Sequence, residues 1–170
     1  MSAEQNKSIV RRLVRDLFNR TNVQAADEIL APGYVEHDPI LGQWAGSQGI
    51  QQLCRSLRAA FLDGHVTIND QVAEGDRVVT RWAFRGTQFG VFAGIPARGG
   101  AVWLTAISIH RVAEGRIQEG WTGFERVKWG GSEGSAASVL SKAQGTHEQR
   151  INDLFGSLTA AIDERRLTEP

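Results

Sequence analysis

Four carboxylate and imidazole side chains in the 170-residue chain stand where they could move protons. In "RIQEGWTGFER", residues 116–126, Glu119, Trp121, Gly123 and Glu125 fall at every second position, the period of a β-strand, so two carboxylates and an indole share one face. A large indole left fully in water is uncommon, which predicts that the Trp121 face is covered and lines a pocket. There a carboxylate loses solvation, its pKa rises, and it becomes suited to proton transfer near neutral pH. The alternative is an ion pair to an arginine such as Arg81 or Arg126. His37, in "YVEHDP", is either a hydrogen-bonded turn residue or a catalyst. His110 ends "LTAISIH", where Ala106, Ser108 and His110 form the small polar face, which borders either a cavity or solvent. On the strand "RVVTRWAFR", Arg81, Ala83 and Arg85 share one face and Val78, Thr80, Trp82 and Phe84 the other, which must pack. Arg81 serves a solvated edge or an oligomer contact unless it turns inward, where it would stabilise an enolate or alkoxide.

The segments that must hold these residues are legible as helices first and strands afterwards. Ile9, Val10, Leu13, Val14, Leu17 and Phe18 recur at helical spacing behind a capping box made by Ser2 and Gln5. A shorter helix is predicted from about Val23 to Leu30, begun by Thr21 or Asn22 and stopped by Pro32 and Gly33. A third, capped by Ser47 and stopped by Gly64, carries Ile50, Leu53, Cys54, Leu57, Ala60 and Phe61 on one stripe. From His65 onward come "HVTINDQVA", "EGDRVVTRWAFRGTQFG", "GAVWLTAISIHRV" and "GRIQEGWTGFERV", joined by short turns that imply antiparallel neighbours. That order describes an α+β domain, a curved sheet with helices on one face and room for a pocket between. It spans residues 1–129, followed by a Gly/Ser-rich linker over 130–145 and an amphipathic helix over 146–166. In that helix Thr146 and Gln149 form a capping box, and its stripe of Ile151, Leu154, Phe155, Leu158 and Ile162 needs a partner surface, in this domain or a second subunit.

Composition excludes several function classes. Apolar residues are 41% and charged residues 22%, with formal net charge +0, so neither a nucleic acid nor an anionic membrane surface finds a basic field. A single cysteine, Cys54, permits no intrachain disulfide and no cysteine-based zinc site, and on its helical stripe it reads as a core thiol. The four histidines lack the spacing of a helical metal motif, and "GVFAGIPARGG" lacks the lysine and hydroxyl of a phosphate loop. No metal and no cofactor is expected. Neither a membrane span nor a secretory signal is readable, which predicts a cytoplasmic protein.

Taken in order, "YVEHDP", "GSQGIQQLCRSLRAAF", "EGDRVVTRWAFRGTQFGVFAGIPARGGAV" and "ISIHRVAEGRIQEGW", with Glu125 after it, resemble the SnoaL-like polyketide cyclase family, a branch of the nuclear-transport-factor-2-like fold. The likeness covers roughly Asn6 to Lys128. It implies a cone-shaped α+β barrel, with a strongly bent antiparallel sheet wrapped around helices and enclosing a deep apolar cavity. It further implies ring closure in a polyketide or related secondary metabolite, by intramolecular aldol or epoxide-opening chemistry, without a cofactor. In such cyclases an Asp four residues after the strand tryptophan works beside cavity histidines. Here that position is Glu125, the histidines correspond to His37 and His110, and Glu119 would support them. A small hydrophobic or aromatic substrate would then meet Trp121, Tyr34, Trp82, Arg81, Gln88, Phe92 and Ser108. A homo-oligomer, dimer or tetramer, is implied as well. Three features depart from the family pattern: Glu125 is one methylene longer than the usual Asp, "GTQ" with Gln88 replaces "GTH", and "PARGG" replaces "PPTG". Two other readings fit the resemblance: a hydroxylase or oxygenase component, and a small-molecule-binding domain without catalysis.

Overall fold

A computed structural model of the chain describes residues 2–37, 46–92, 95–97, 99–129 and 132–134. Helix α1, Ala3–Arg12, opens on the expected capping box: the Gln5 amide donates to Ser2 Oγ at 3.2 Å and the Ser2 amide to Gln5 Oε1 at 2.7 Å. The chain continues in wider π-helical turns over Leu13–Asn19, where Leu13, Val14 and Leu17 are buried. A 3₁₀ turn, Val23–Ala25, leads into the short α2, Ala26–Ile29.

The expected second helix is therefore shorter than predicted, and Pro32 and Gly33 do not stop it. They lie inside strand β1, Leu30–Glu36. Against β5 the register moves from Leu30↔Ile117 to Val35↔Glu119, so β1 carries extra residues across this stretch. Pro32 and Gly33 sit in the irregularity, where an edge strand tolerates a missing amide donor. Helix α3, Gly46–Ala60, buries Ile50, Cys54 and Ala60. Ser47 is within it rather than capping it, and its hydroxyl donates to Asp27 on the neighbouring helix.

Strands β2, His65–Glu74, β3, Arg77–Thr87, β4, Ala101–Ala113, and β5, Arg116–Trp129, form the predicted meander. Its tight turns use positive φ at Gly75, Glu114 and Gly115. The curved sheet runs β1-β5-β4-β3-β2. All of these pairs are antiparallel except β1 with β5, which is parallel. That parallel edge corrects the expectation of an antiparallel sheet throughout. β1 and β2 do not pair with each other, so the sheet is unclosed and the helices fill its concave side.

Three residues of the stretch read as a linker, Ser132–Gly134, form β6 and pair with the end of β5. The predicted helix over 146–166 lies outside the described residues. Two apolar clusters join helices to sheet. One gathers Val10, Leu17, Ile29, Tyr34, Val78 and Ile117, the other Phe61, Phe84, Phe92, Val102 and Trp129. No helix among the described residues is long and apolar enough to cross a membrane.

Candidate active site

Between the helices and the inner sheet face lies a cavity of about 160 Å³. Leu13, Val14 and Phe18 from the first helical segment, Leu53 and Leu57 from α3, and Trp82, Phe84 and Phe124 from the sheet make most of its wall. The polar groups on the wall come from Tyr34, Glu36, Thr80, Ser108, His110 and Thr122.

Strand phase decides which side chains reach this space. On β4, Ala106, Ser108 and His110 are buried against the concave side, as one of the two readings of that strand predicted. On β5 the inward set is Gly120, Thr122 and Phe124, then Val127 and Trp129. The change of phase has a visible cause. Thr105 pairs with Arg126 and Ala106 with Phe124, so Glu125 is the extra residue of a bulge.

The predicted pocket face of β5 is thus the outer face, and this is the main correction to the sequence reading. Glu119, Trp121 and Glu125 do not line the cavity. Glu125 is exposed, close enough to Arg81 to act on it electrostatically. Arg81 also stays outside, donating to Asp70 Oδ2 at 2.6 Å and 3.1 Å. Glu119 is held from two sides, by His37 Nε2 at 2.8 Å and Arg111 Nε at 2.6 Å. Those hydrogen bonds keep its carboxyl below the usual carboxylate range. The His37 ring stacks on Trp121 with centroids 4.5 Å apart and an interplanar angle of 8°, and Arg77 lies over the same indole at 5.6 Å. An outward tryptophan here is covered by its neighbours on the sheet surface, which is why the premise that burial meant a pocket failed. The ion-pair alternative for Glu119 holds, with Arg111 as the arginine.

Of the remaining predicted residues, Tyr34, Trp82, Phe92, Ser108 and His110 line the cavity. Gln88 does not. Fully buried, it accepts from Trp129 Nε1 at 2.9 Å and donates to the carbonyls of Gly90 at 3.1 Å and Ile95 at 3.0 Å, clamping the loop after β3. Cys54 is the core thiol expected, and burial pushes it up to about 12.

Sequence reasoning missed Glu36, one residue before His37. Adjacent residues of a strand face opposite sides, so the imidazole points out and the carboxylate in. Its relation to His110 runs through Gly120, which pairs with Glu36 on β1 and with His110 on β4. Neighbouring strands lie about 4.8 Å apart, which sets the two Cα atoms about 10 Å apart with no side chain between them. The Tyr34 hydroxyl donates to Glu36 Oε2 at 2.7 Å. A Cβ on residue 120 would fall 2.4 Å from that hydroxyl and 2.7 Å from the carboxylate oxygen, so glycine is what admits the pair. The phase of "YVE" was the signal available: Tyr34 and Glu36 are two apart, on one face.

The electrostatics are those of a desolvated site. Burial pushes His110 down to about 4, so its ring is neutral at pH 7, and its Nδ1 has no hydrogen-bond partner among the described residues. Burial, then the charge of Glu36, raises the Tyr34 pKa, which keeps that hydroxyl a donor. Among the described residues no three His, Cys, Asp or Glu side chains converge as metal ligands would.

An α+β domain with a bent, unclosed sheet around an apolar hollow is the architecture of the nuclear-transport-factor-2-like proteins. Within that class the chain belongs to the SnoaL-like polyketide cyclase family, whose model matches residues 8–129. Among solved structures it is similar to TsrD from Streptomyces laurentii, 25% identical with TM-score 0.66, over 74% of this chain and 91% of that one. IdmH from Streptomyces antibioticus, described as a candidate polyketide cyclase, is 29% identical with TM-score 0.62, over 71% of this chain and 92% of that one. AclR from Streptomyces galilaeus, described as a candidate hydroxylase, shares the fold at 23% identity and TM-score 0.62, over 72% and 90% of the two chains. A comparison with curated proteins gives no match.

Proposed function

We propose that the protein is an acid/base cyclase that closes a ring in a polyketide-type carbon skeleton inside the hollow, with Glu36 as the proton carrier and no cofactor. The supporting observation is the row Glu36, Gly120, His110, which brings a carboxylate and an imidazole to one end of a mostly apolar cavity. A carboxylate removed from bulk water, and aligned by the Tyr34 hydroxyl, is suited to take a proton from carbon next to a carbonyl. In an aldol closure the C–H bond breaks to Glu36 and an enolate forms. That carbon then bonds to a second carbonyl carbon, whose oxygen takes up the proton. The neutral His110 ring supplies one N–H as a donor to the developing oxyanion. The apolar walls from Phe18, Trp82 and Phe124 hold the chain folded so that both carbons meet. An epoxide opening would use the same groups: the hydroxyl O–H breaks to Glu36, its oxygen bonds to an epoxide carbon as the C–O bond breaks, and the departing oxygen, held by the His110 N–H, takes up that proton.

The test is incubation with linear poly-β-ketone esters in buffer without reductant, with products read by mass spectrometry. Ring closure gives a product of unchanged mass, or lighter by one water, and that product is expected to disappear in Glu36→Gln. A product heavier by one oxygen that needs added reductant would establish the hydroxylase reading instead. Tight binding without any product would establish the binding domain.

A further inference from the structure

Two residues along the strands from His110 and Gly120, a second polar row crosses the inner face. Thr80 pairs with Ser108, and Ser108 with Thr122, so three hydroxyl-bearing residues stand side by side on β3, β4 and β5. All three line the cavity. Thr80 is tied to the Gln71 side-chain amide at 3.0 Å. Trp82 Nε1 donates to Ser108 Oγ at 2.9 Å, and Ser108 Oγ lies 3.0 Å from Thr122 Oγ1.

An indole N–H can only donate, so Ser108 accepts from Trp82. Ser108 and Thr122 carry two hydroxyl hydrogens, and the bond between them uses one, whichever residue donates. The other hydrogen has no acceptor among the described residues. It belongs to a pair on the cavity wall whose Ser108 is held by the Trp82 indole, Ser108 being buried and Thr122 half-buried. A buried donor without an acceptor is unfavourable, and a ligand oxygen relieves it.

We propose that Ser108 and Thr122 form a subsite for a carbonyl or enolate oxygen of the substrate, distinct from the Glu36 and His110 end of the cavity. Two residues of strand separate the rows, about 7 Å. The ligand class is then an oxygenated carbon skeleton with one acceptor at the hydroxyl pair and its reacting carbon near Glu36. This deepens the cyclase reading and rests on it for the reaction, while the acceptor preference itself is measurable without turnover.

The experiment compares acetophenone with α-methylstyrene, which has nearly the same shape but no carbonyl oxygen, by calorimetric titration of the whole chain. Each single variant, Ser108→Ala or Thr122→Val, keeps one hydroxyl hydrogen to offer, and loss of Ser108 also frees the Trp82 indole N–H, so the decisive protein is the triple variant Trp82→Phe/Ser108→Ala/Thr122→Val. The ratio of ketone to alkene affinity is expected to fall about fivefold in the triple variant, with alkene binding retained, and to fall less in either single variant. Retained alkene binding shows that the cavity is intact. An unchanged ratio overturns the subsite, as does a native protein that binds neither probe. If the ratio falls as expected and yet no ring-closed product forms from the poly-β-ketone esters, the acceptor subsite stands and the cyclase reading is what fails.

Discussion

Glu36 and His110 flank Gly120 in one row across β1, β5 and β4, each paired with that glycine and neither with the other. An acid from the edge strand β1 and an imidazole from β4, two strands away, thereby share one cavity.

The glycine between them is testable by adding one carbon. Gly120→Ala places a Cβ against the Tyr34 hydroxyl and the Glu36 carboxylate, both of which must move. Thermal unfolding is expected to register a loss of about 1–3 kcal/mol, the usual cost of overpacking, together with loss of ring-closing turnover. Gly123→Ala is the matched control, because a Cβ there meets nothing within 4 Å. It should keep turnover and gain slightly in stability, by about 0.5 kcal/mol, since alanine has less backbone freedom to lose.

Glu36→Gln preserves shape and removes proton transfer. Turnover should drop by about two orders of magnitude or more, with substrate binding almost unchanged. Glu125→Gln, on the exposed outer bulge, should stay within about twofold of the native rate. Steady-state and single-turnover kinetics on the two variants decide between the inner and the outer carboxylate.

His110 gives the pH dependence a definite sign. Its folded pKa, about 4, lies below the unfolded value of about 6.5, so the unfolded chain binds the extra proton first. With respect to this group, stability is full above about pH 6.5, falls as the pH drops, and has lost about 3 kcal/mol once the pH is below about 4. Denaturant titrations between those limits should show the slope, and His110→Gln should flatten it. Equal slopes in the native and variant proteins would falsify the assignment.

Gln88 is expected to matter for stability rather than for ligand choice. Gln88→Leu leaves the Trp129 indole N–H and the carbonyls of Gly90 and Ile95 without their side-chain partner. The expected cost is about 2–4 kcal/mol, read as a lower denaturation midpoint, with the ketone-to-alkene affinity ratio unchanged.

The architecture was largely legible because its signals are local. Ser2 and Gln5 cap α1 three residues apart, and the short turns at Gly75 and Gly115 force neighbouring strands to be antiparallel. The site was legible only in part. Alternation along β5 separates Glu119, Trp121 and Glu125 from Gly120, Thr122 and Phe124, but alternation does not say which set faces in. Residue size favoured the tryptophan, whereas the fold turns the Gly120 set inward, which leaves Tyr34 and Glu36 the space above that glycine. The parallel contact of β1 with β5 is a long-range pairing with no turn to announce it. Without that contact, the chemically conspicuous His37 drew attention away from its neighbour Glu36. His110 and Ser108 were found because their strand places small and polar side chains on the face opposite its isoleucines.

The partnership of β1 with β5 bears on how the protein is made. The segment holding Tyr34 and Glu36 leaves the ribosome long before its mate, which follows about eighty residues later. Until then the acid has no glycine to lie against, and the nascent polypeptide holds a helical start with half of a reaction vessel. Catalytic competence should therefore emerge in one late step of synthesis, when the strand carrying Gly120 slots between the two that carry the acid and the imidazole.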